Sequence, residues 1–280
     1  MDRFAHSAAN LLVGNEPGLA TLECTLRGPG LVAEQTCLIA ITGADFDPRV
    51  NGDSVPAWAG LLLRPGDRLT YGSRRNGARM YIAIAGGFEA DRWLGSFSTN
   101  LMAGRGGIHG RALRAGDVLA IAAEPKVPPV AGRRLAEQLL PDYSDHTLHA
   151  IAGPHLKRLD LASRALLFQA SYTVSRDSDR MGYRLDGPPL AVSEEELLSF
   201  GLVAGAVQLP SSGQPIILMA DHQTAGGYPV VATVVSASLP IAAQLLPGDE
   251  LRLVAITPQG AQSMRKALAG ALETLRGATS

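Results

Sequence analysis

The chain has 280 residues, with Lys+Arg 25 against Asp+Glu 26 and a net charge of -1, which argues against a one-signed surface field and against nucleic acid or anionic lipid as the main partner. Hydrophobic residues make up 46% and charged residues 18%, while Gly 31 and Pro 18 are spread along the chain, so the composition excludes disorder and describes a loop-rich globular protein. A chain of this length buries one large or two medium domains without disulfide or metal staples.

The first predicted element is a helix over residues 4–12, in which Phe4, Ala8, Leu11 and Leu12 share a face and Gly14 supplies a stop. The opening MDRFAHSAANLLVG has neither a long apolar core nor a small-residue cleavage site, and no run of about 18 apolar residues follows, so a cytoplasmic location is expected. Cys24 and Cys37 stand in apolar surroundings without Cys-x-x-Cys spacing, the pattern of two buried thiols in a reducing compartment. Apolar runs at 36–41, 80–85, 216–219 and 230–235 read as strands. Asn51-Gly52 signals a two-residue hairpin, because both positions tolerate positive φ.

Three segments share a Gly-Asp turn followed by alternating apolar residues: Arg64-Pro65-Gly66-Asp67, Arg114-Ala115-Gly116-Asp117 and Leu246-Pro247-Gly248-Asp249. Each predicts a strand leaving a turn, and their unequal spacing excludes a solenoid. The proline-rich stretch 124–130 interrupts any sheet and divides the chain into an N-terminal half, 1–125, and a C-terminal half, 126–280. Ser193 and Glu196 form a capping box that predicts a short helix to Phe200. A longer helix opens at Thr257-Pro258 and runs to about Leu275, with Ala261, Met264, Leu268, Ala271, Leu272 and Leu275 on a stripe suited to pack on a sheet.

The six histidines are scattered apart from His146-x-x-His149, and no metal-ligand cluster is expected. Gly-x-Ser-x-Gly is missing, and none of the three lysines, Lys126, Lys157 and Lys266, lies in a Gly-Lys-Ser/Thr context, which excludes a P-loop. Three segments carry chemistry-bearing residues. Asp221-His222-Gln223-Thr224-Ala225-Gly226-Gly227-Tyr228 follows a buried strand and reads either as a binding loop or as a tight turn in which Asp221 and Thr224 cap free amides. Ser175 to Arg184 holds Arg176, Arg180 and Arg184 with Asp177 and Asp179, either a solvated charge-paired loop or a bidentate clamp for a carboxylate, carboxyphosphate or ureido group. Gly86-Gly87, Ser98-Thr99 and Gly104 to Arg111 form a glycine- and hydroxyl-rich stretch that lacks a dinucleotide fingerprint.

The collinear series YIAIAGGF (81–88), LGSFSTNL (94–101), GGIHGRAL (106–113), SDRMGYRLDG (178–187), GAVQLPSSGQPIILMADHQTAGGYP (205–229) and the closing PGDELRL resembles the family that comprises the C-type 5-oxoprolinase subunits, the biotin-dependent carboxyltransferases and allophanate hydrolase subunit 2, also known as the Kip-type antagonist. The likeness covers nearly the whole chain. It implies a mainly β protein of cyclophilin-like barrel units in two halves with a few peripheral helices. It implies homologues of the B-type (Kip-type inhibitor-like) and A-type 5-oxoprolinase subunits as partners, which together with this chain open the lactam of 5-oxoproline to glutamate at the expense of ATP. An alternative is carboxyl transfer to urea or a related amide from biotin on a partner; another is a non-catalytic antagonist that binds a kinase-inhibitor partner. No cofactor is expected to bind firmly to this chain.

In the 5-oxoprolinase reading, residue type and proximity in sequence make Asp221, Gln223 and Thr224 the catalytic candidates, Asp221 as acid/base and the others, with the amides of Gly226 and Gly227, stabilising an oxyanion. Arg180 and Arg184 would hold the substrate carboxylate, and Ser178, Gln208, Tyr228, Ser98 and Thr99 complete the binding set. Ala225 and Asp179 depart from the family, where threonine and asparagine are usual. The stretch that opens this chain resembles one that in relatives follows an N-terminal hairpin, whose loss is expected to leave an open strand edge. The whole site reading requires the loops around Arg180 and Gln223 to converge at the rim of a barrel half and to line a common cavity.

Overall fold

The computed structural model describes residues 1–124, 131–192 and 197–277. Its contacts fall into two units, Arg3–Leu140 with the end of the last helix from Gly270, and Pro141–Ala269 with Met1–Asp2. The fold is mainly β. No helix among the described residues is long and apolar enough to cross a membrane.

The first unit opens with α1 (Arg3–Leu12), whose buried face carries Phe4, Ala8, Leu11 and Leu12. Gly14 at φ 79 ends it, with the Gly14 amide on Leu11 O at 3.1 Å and the Asn15 amide on Asn10 O at 2.9 Å, a Schellman closure. Eight strands follow: β1 (Leu22–Thr25), β2 (Leu31–Val32), β3 (Cys37–Asp45), β4 (Pro48–Val50), β5 (Asp53–Ser54), β6 (Ala59–Leu63), β7 (Arg68–Tyr71) and β8 (Asn76–Ile84). They form two four-stranded sheets, β1-β8-β3-β6 and β2-β7-β4-β5. Ile39, Ile41, Phe46, Leu63, Leu69, Met80 and Ile82 fill the core. The Asn51-Gly52 turn joins β4 to β5, with φ of 55 and 95 and Val50 opposite Asp53. Both thiols are free; Cys24 is buried and its pKa is pushed up to about 12 by burial, whereas Cys37 is half-buried, since its side chain lies at the end of β3.

The three Gly-Asp turns are built alike. Each aspartate carboxylate accepts from the amide three residues earlier, Asp67 from Arg64 at 2.7 Å, Asp117 from Arg114 at 2.7 Å and Asp249 from Leu246 at 2.8 Å, with the glycines at φ 91, 90 and 94. Two of them launch β7 and the last barrel strand. The turn at Gly116-Asp117 launches none: Val118 is exposed, and only the isolated bridge Phe88–Ile121 forms. Its aspartate, besides closing the turn, is clasped by Arg111 at 2.8 Å.

The second unit is a closed barrel. Its elements are β9 (Thr147–Ala152), α2 (Leu161–Gln169), β10 (Ser171–Val174), β11 (Gly182–Asp186), β12 (Phe200–Gly201), β13 (Ala206–Gln208), β14 (Ile216–Leu218), β15 (Ala225–Gly226), β16 (Val230–Val234), α3 (Leu239–Ala242), β17 (Glu250–Ala255) and α4 (Pro258–Gly277). The barrel order is β10-β11-β14-β13-β16-β9-β17, with β17 and β9 parallel and the other pairs antiparallel. Leu148, Tyr172, Tyr183, Leu185, Val207, Ile217, Val231, Leu251 and Leu253 fill its interior. The α2 helix, which periodicity alone does not announce, is capped by Asp160, whose carboxylate accepts from the Ser163 amide at 2.7 Å. The predicted helix from Ser193 to Phe200 is not formed as read. Residues 193–196, which hold the capping box, lie outside the described residues, residues 197–199 are irregular, and Phe200 begins β12. The predicted stripe on α4 is present, with Ala271 and Leu275 buried.

Candidate functional site

The two charged loops meet because β11 and β14 pair antiparallel, Gly182 opposite Leu218 and Arg184 opposite Ile216. The pairing continues beyond the strands, with the Met219 amide on Met181 O at 3.0 Å and the Asp221 amide on Arg180 O at 2.9 Å. Arg180 then clasps Asp221 with two hydrogen bonds, Nε to Oδ2 at 2.8 Å and Nη2 to Oδ1 at 3.2 Å. Their side chains are 39% and 52% exposed, so the pair contributes about 0–1 kcal/mol to stability and chiefly fixes geometry. The predicted clamp and the predicted acid/base group are thus partners.

Asp179 makes the turn between Arg180 and β11: its Oδ1 accepts from the Met181 and Gly182 amides at 2.8 and 3.2 Å. Ser178 is likewise used locally, its Oγ accepting from the Arg184 amide at 3.0 Å. On β11, Tyr183 and Leu185 point into the barrel, which places the exposed Arg184 on the outer face.

Register extends that outer row. Arg184 lies opposite Ile216, Ile216 opposite Gln208, and Gln208 opposite Val230, across four adjacent strands. A ribbon of β12 and β15, Phe200 opposite Gly226 and Gly201 opposite Ala225, covers part of this face. Leu202 and Phe200 pack there with Ala206, Leu218, Val230 and Ile216. Gln208 is 1% exposed beneath the ribbon; its Oε1 accepts from Gln223 Nε2 at 3.1 Å, and its own Nε2 has no partner among the described residues.

Gly226 passes close above. A Cβ there would stand 3.0 Å from Leu202 Cδ1 and 3.2 Å from Gln208 Nε2. His155 closes the far side, its Nδ1 accepting from the Val230 amide at 3.1 Å and its ring 5.0 Å from that of Phe200. Burial, with Arg158 adding to it, holds the His155 pKa below its usual value. Neither His155 nor the ribbon stands out in the sequence; their one signal is the glycine pair Gly226-Gly227, which allows the close approach.

Thr224, Gly227 and Tyr228 are exposed in the same loop, and Thr224 O accepts from the Leu202 amide at 2.9 Å. The Asp221 and Thr224 side chains cap no amide; Asp221 faces Arg180 instead. Ser98 and Thr99 belong to the first unit, where Thr99 packs against Gly107 and the Ser98 carbonyl against Gly106 so closely that a Cβ at either glycine would collide. Two cavities of the barrel unit, one beside Arg265 and Ser236 and one beside Arg176 and Asp186, are lined by other residues. No group of three His, Cys, Asp or Glu among the described residues is arranged to hold a metal.

The model of the family described as carboxyltransferase domain, subdomain A and B, matches residues 1–255. The Escherichia coli K12 protein named as the C-type subunit of 5-oxoprolinase is 37% identical over 269 residues, which span 95% of this chain and 84% of that one. Among solved structures, the K. lactis urea amidolyase superposes with a TM-score of 0.90 at 27% identity, covering 98% of this chain and 18% of that one. The Kluyveromyces lactis urea carboxylase gives a TM-score of 0.89 at 26% identity, covering 98% and 26%. This chain therefore spans about a fifth to a quarter of the length of those two proteins, and it belongs to the carboxyltransferase-domain family, subdomains A and B.

Proposed function

We propose that this chain is the C-type subunit of an ATP-dependent 5-oxoprolinase and that it acts beside homologues of the B-type and A-type subunits. The 37% identity to a protein of that name supports the reading. The observation that carries it is the meeting of the Arg180 and Gln223 loops on one barrel face, where Arg180 pairs with Asp221 and Gln223 with Gln208. 5-Oxoproline offers the complementary pair, one carboxylate and one lactam carbonyl.

In this reading Arg180 and Arg184 bind the carboxylate, Arg180 being held in line by Asp221. Attack of water on the lactam carbonyl drives negative charge onto its oxygen until the ring C–N bond breaks and the nitrogen leaves, protonated, as the amine of glutamate; the amides of Gly226 and Gly227 with the side chains of Gln223 and Thr224 are the donors at hand for that oxygen. Asp221 is the carboxylate of that loop and, while it aligns Arg180, takes or returns the proton. Ser178 and Asp179 shape the turn, and Tyr228 lines the exposed edge. ATP supplies the driving force for lactam opening and is held by a partner polypeptide, in keeping with the three lysines outside any P-loop context.

The test is copurification with the B-type homologue, followed by ATP-dependent glutamate release from 5-oxoproline with and without this chain. Release that requires the chain, and a fall of at least tenfold in kcat/KM for Arg180→Ala, is the expected result. A second reading, carboxyl transfer to urea or a related amide from a biotinylated partner, is favoured by the TM-score of 0.90 to the urea amidolyase; copurifying biotin-protein and urea carboxylation would replace the first reading. Tight association without turnover of either compound would leave a binding antagonist.

A further inference from the structure

Several buried polar atoms lack a partner, among them the Tyr71 hydroxyl, two guanidinium nitrogens of Arg133 and Nε2 of Gln208. Tyr71 is enclosed, its ring lying against Gly28 so closely that a Cβ there would collide. Arg133 already serves the end of α1, donating from Nη1 to Leu11 O at 2.9 Å. Gln208 differs from both: it lies in the outer row with Arg184, under a thin ribbon, next to a loop that carries the candidate chemistry.

We propose that Gln208 is the specificity-determining residue of this site, its Nε2–H kept for a carbonyl oxygen of the ligand, which reaches it when the β12–β15 ribbon lifts from the barrel face. The inference rests on the reading above that this face binds substrate. Three features set the donor in place. Gln223 Nε2 occupies Gln208 Oε1 at 3.1 Å, which fixes the amide plane and turns the NH2 group away from Gln223. Gly226 passes directly over that group with no side chain of its own, and a Cβ there would come within 3.2 Å of it. The ribbon's own main-chain bonds run within it, as in Leu202 N to Thr224 O at 2.9 Å, and it packs on the barrel face through Leu202 and Phe200.

A buried donor without an acceptor destabilises the free protein, and a ligand that supplies the acceptor recovers that free energy selectively. The ligand class follows from the row. It is a compact molecule with a carbonyl acceptor, over Gln208, and an anionic or strongly polar end directed to Arg184 two strands away, roughly 10 Å along the sheet. A lactam carboxylate fits both ends; urea offers the carbonyl alone.

The test uses the complex reconstituted with its partner polypeptides, and the probe is whichever of 5-oxoproline or urea the wild type turns over. Gln208→Leu is expected to raise KM at least tenfold while the melting temperature of the isolated chain stays level or rises, because the idle donor is gone and Gln223 turns to water. Gly226→Ala, whose φ suits alanine, is expected to raise KM in the same direction by covering the donor. Wild-type KM for Gln208→Leu overturns the assignment, as does a fall in melting temperature that accounts for the loss of activity. If the wild-type complex turns over neither probe, the functional reading fails and the assignment falls with it; turnover with an indifferent Gln208 fails the assignment alone.

Discussion

Each unit contains a pair of side-chain amides joined to one another, and the two pairs are used differently. In the first unit Asn15 Nδ2 donates to Asn10 Oδ1 at 3.0 Å and to Ile84 O at 2.7 Å, while Asn15 Oδ1 accepts from the Gly86 amide at 2.9 Å. Asn10 in turn donates to Leu19 O at 2.8 Å. Both amide hydrogens and the amide oxygen of Asn15 are engaged, and the pair ties the end of α1 to the end of β8. In the barrel unit Gln223 donates to Gln208 in the same way, yet the Gln208 NH2 faces no acceptor. Buried amides are as a rule satisfied in the free protein, and the idle donor of Gln208 is an exception that the proposed ligand contact would explain.

The largest expected effect tests the filled pair. Asn15→Ala removes one acceptor and two donors and strands Ile84 O, the Gly86 amide and Asn10 Oδ1 in a buried position. A loss of about 2–3 kcal/mol in denaturant unfolding is expected, at the upper end for single buried polar groups. If Asn15→Ala and Gln208→Leu shift stability by the same amount and sign, the contrast between the two pairs disappears.

A second effect is set by pH. Burial holds the His6 ring, whose Nδ1 is 2.8 Å from Thr21 Oγ1, below its usual pKa, and the same holds for His155 beside the ribbon. A histidine whose folded pKa is depressed binds its proton more readily when unfolded. Stability therefore rises with pH through the region just below 6.5 and is lost as pH falls there, at most about 1.4 kcal/mol per pH unit from His6. Melting curves from pH 7.5 to 5.5 should show this slope, and His6→Gln should flatten it. A slope of the opposite sign would mean that a gained partner, not burial, governs the ring.

The sequence announces the turns better than the site. Gly-Asp chemistry is local, so Asp67, Asp117 and Asp249 each close the same loop, but whether a strand follows depends on a sheet partner that Val118 and Leu119 do not have. The stop at Gly14 is legible for the same reason, and the Asp160 cap of α2 is available as a signal, with an Asp-x-x-Ser spacing before a run of helix formers. The Ser193–Glu196 signature shows the limit of local rules: Phe200, which it places in a helix, pairs with Gly226 in a strand. The Arg180–Asp221 pair is separated by 41 positions and arises from the β11–β14 register, which no local pattern encodes. Gln208 is readable as polar but not as buried, because its strand has three residues and all are covered, one by the barrel interior and the others by elements laid over the outer face.

The smallest expected change in stability distinguishes geometry from energy at the loop junction. Asp221→Asn keeps the size of the side chain and removes the charge that aligns Arg180. With both side chains largely in water, the chain should lose no more than about 0.5 kcal/mol, and added salt should erase even that, since exposed pairs are screened over roughly 10 Å. Catalysis is expected to respond far more. Under the proposed function, an Arg180 no longer held in line does not present two parallel N–H groups to the substrate carboxylate, so KM should rise severalfold, and loss of the proposed proton carrier should lower kcat in addition. A variant in which KM rises and kcat is kept assigns Asp221 to positioning alone. One in which both remain at wild-type values removes the junction from the site and leaves the outer row of Arg184 and Gln208 to account for recognition.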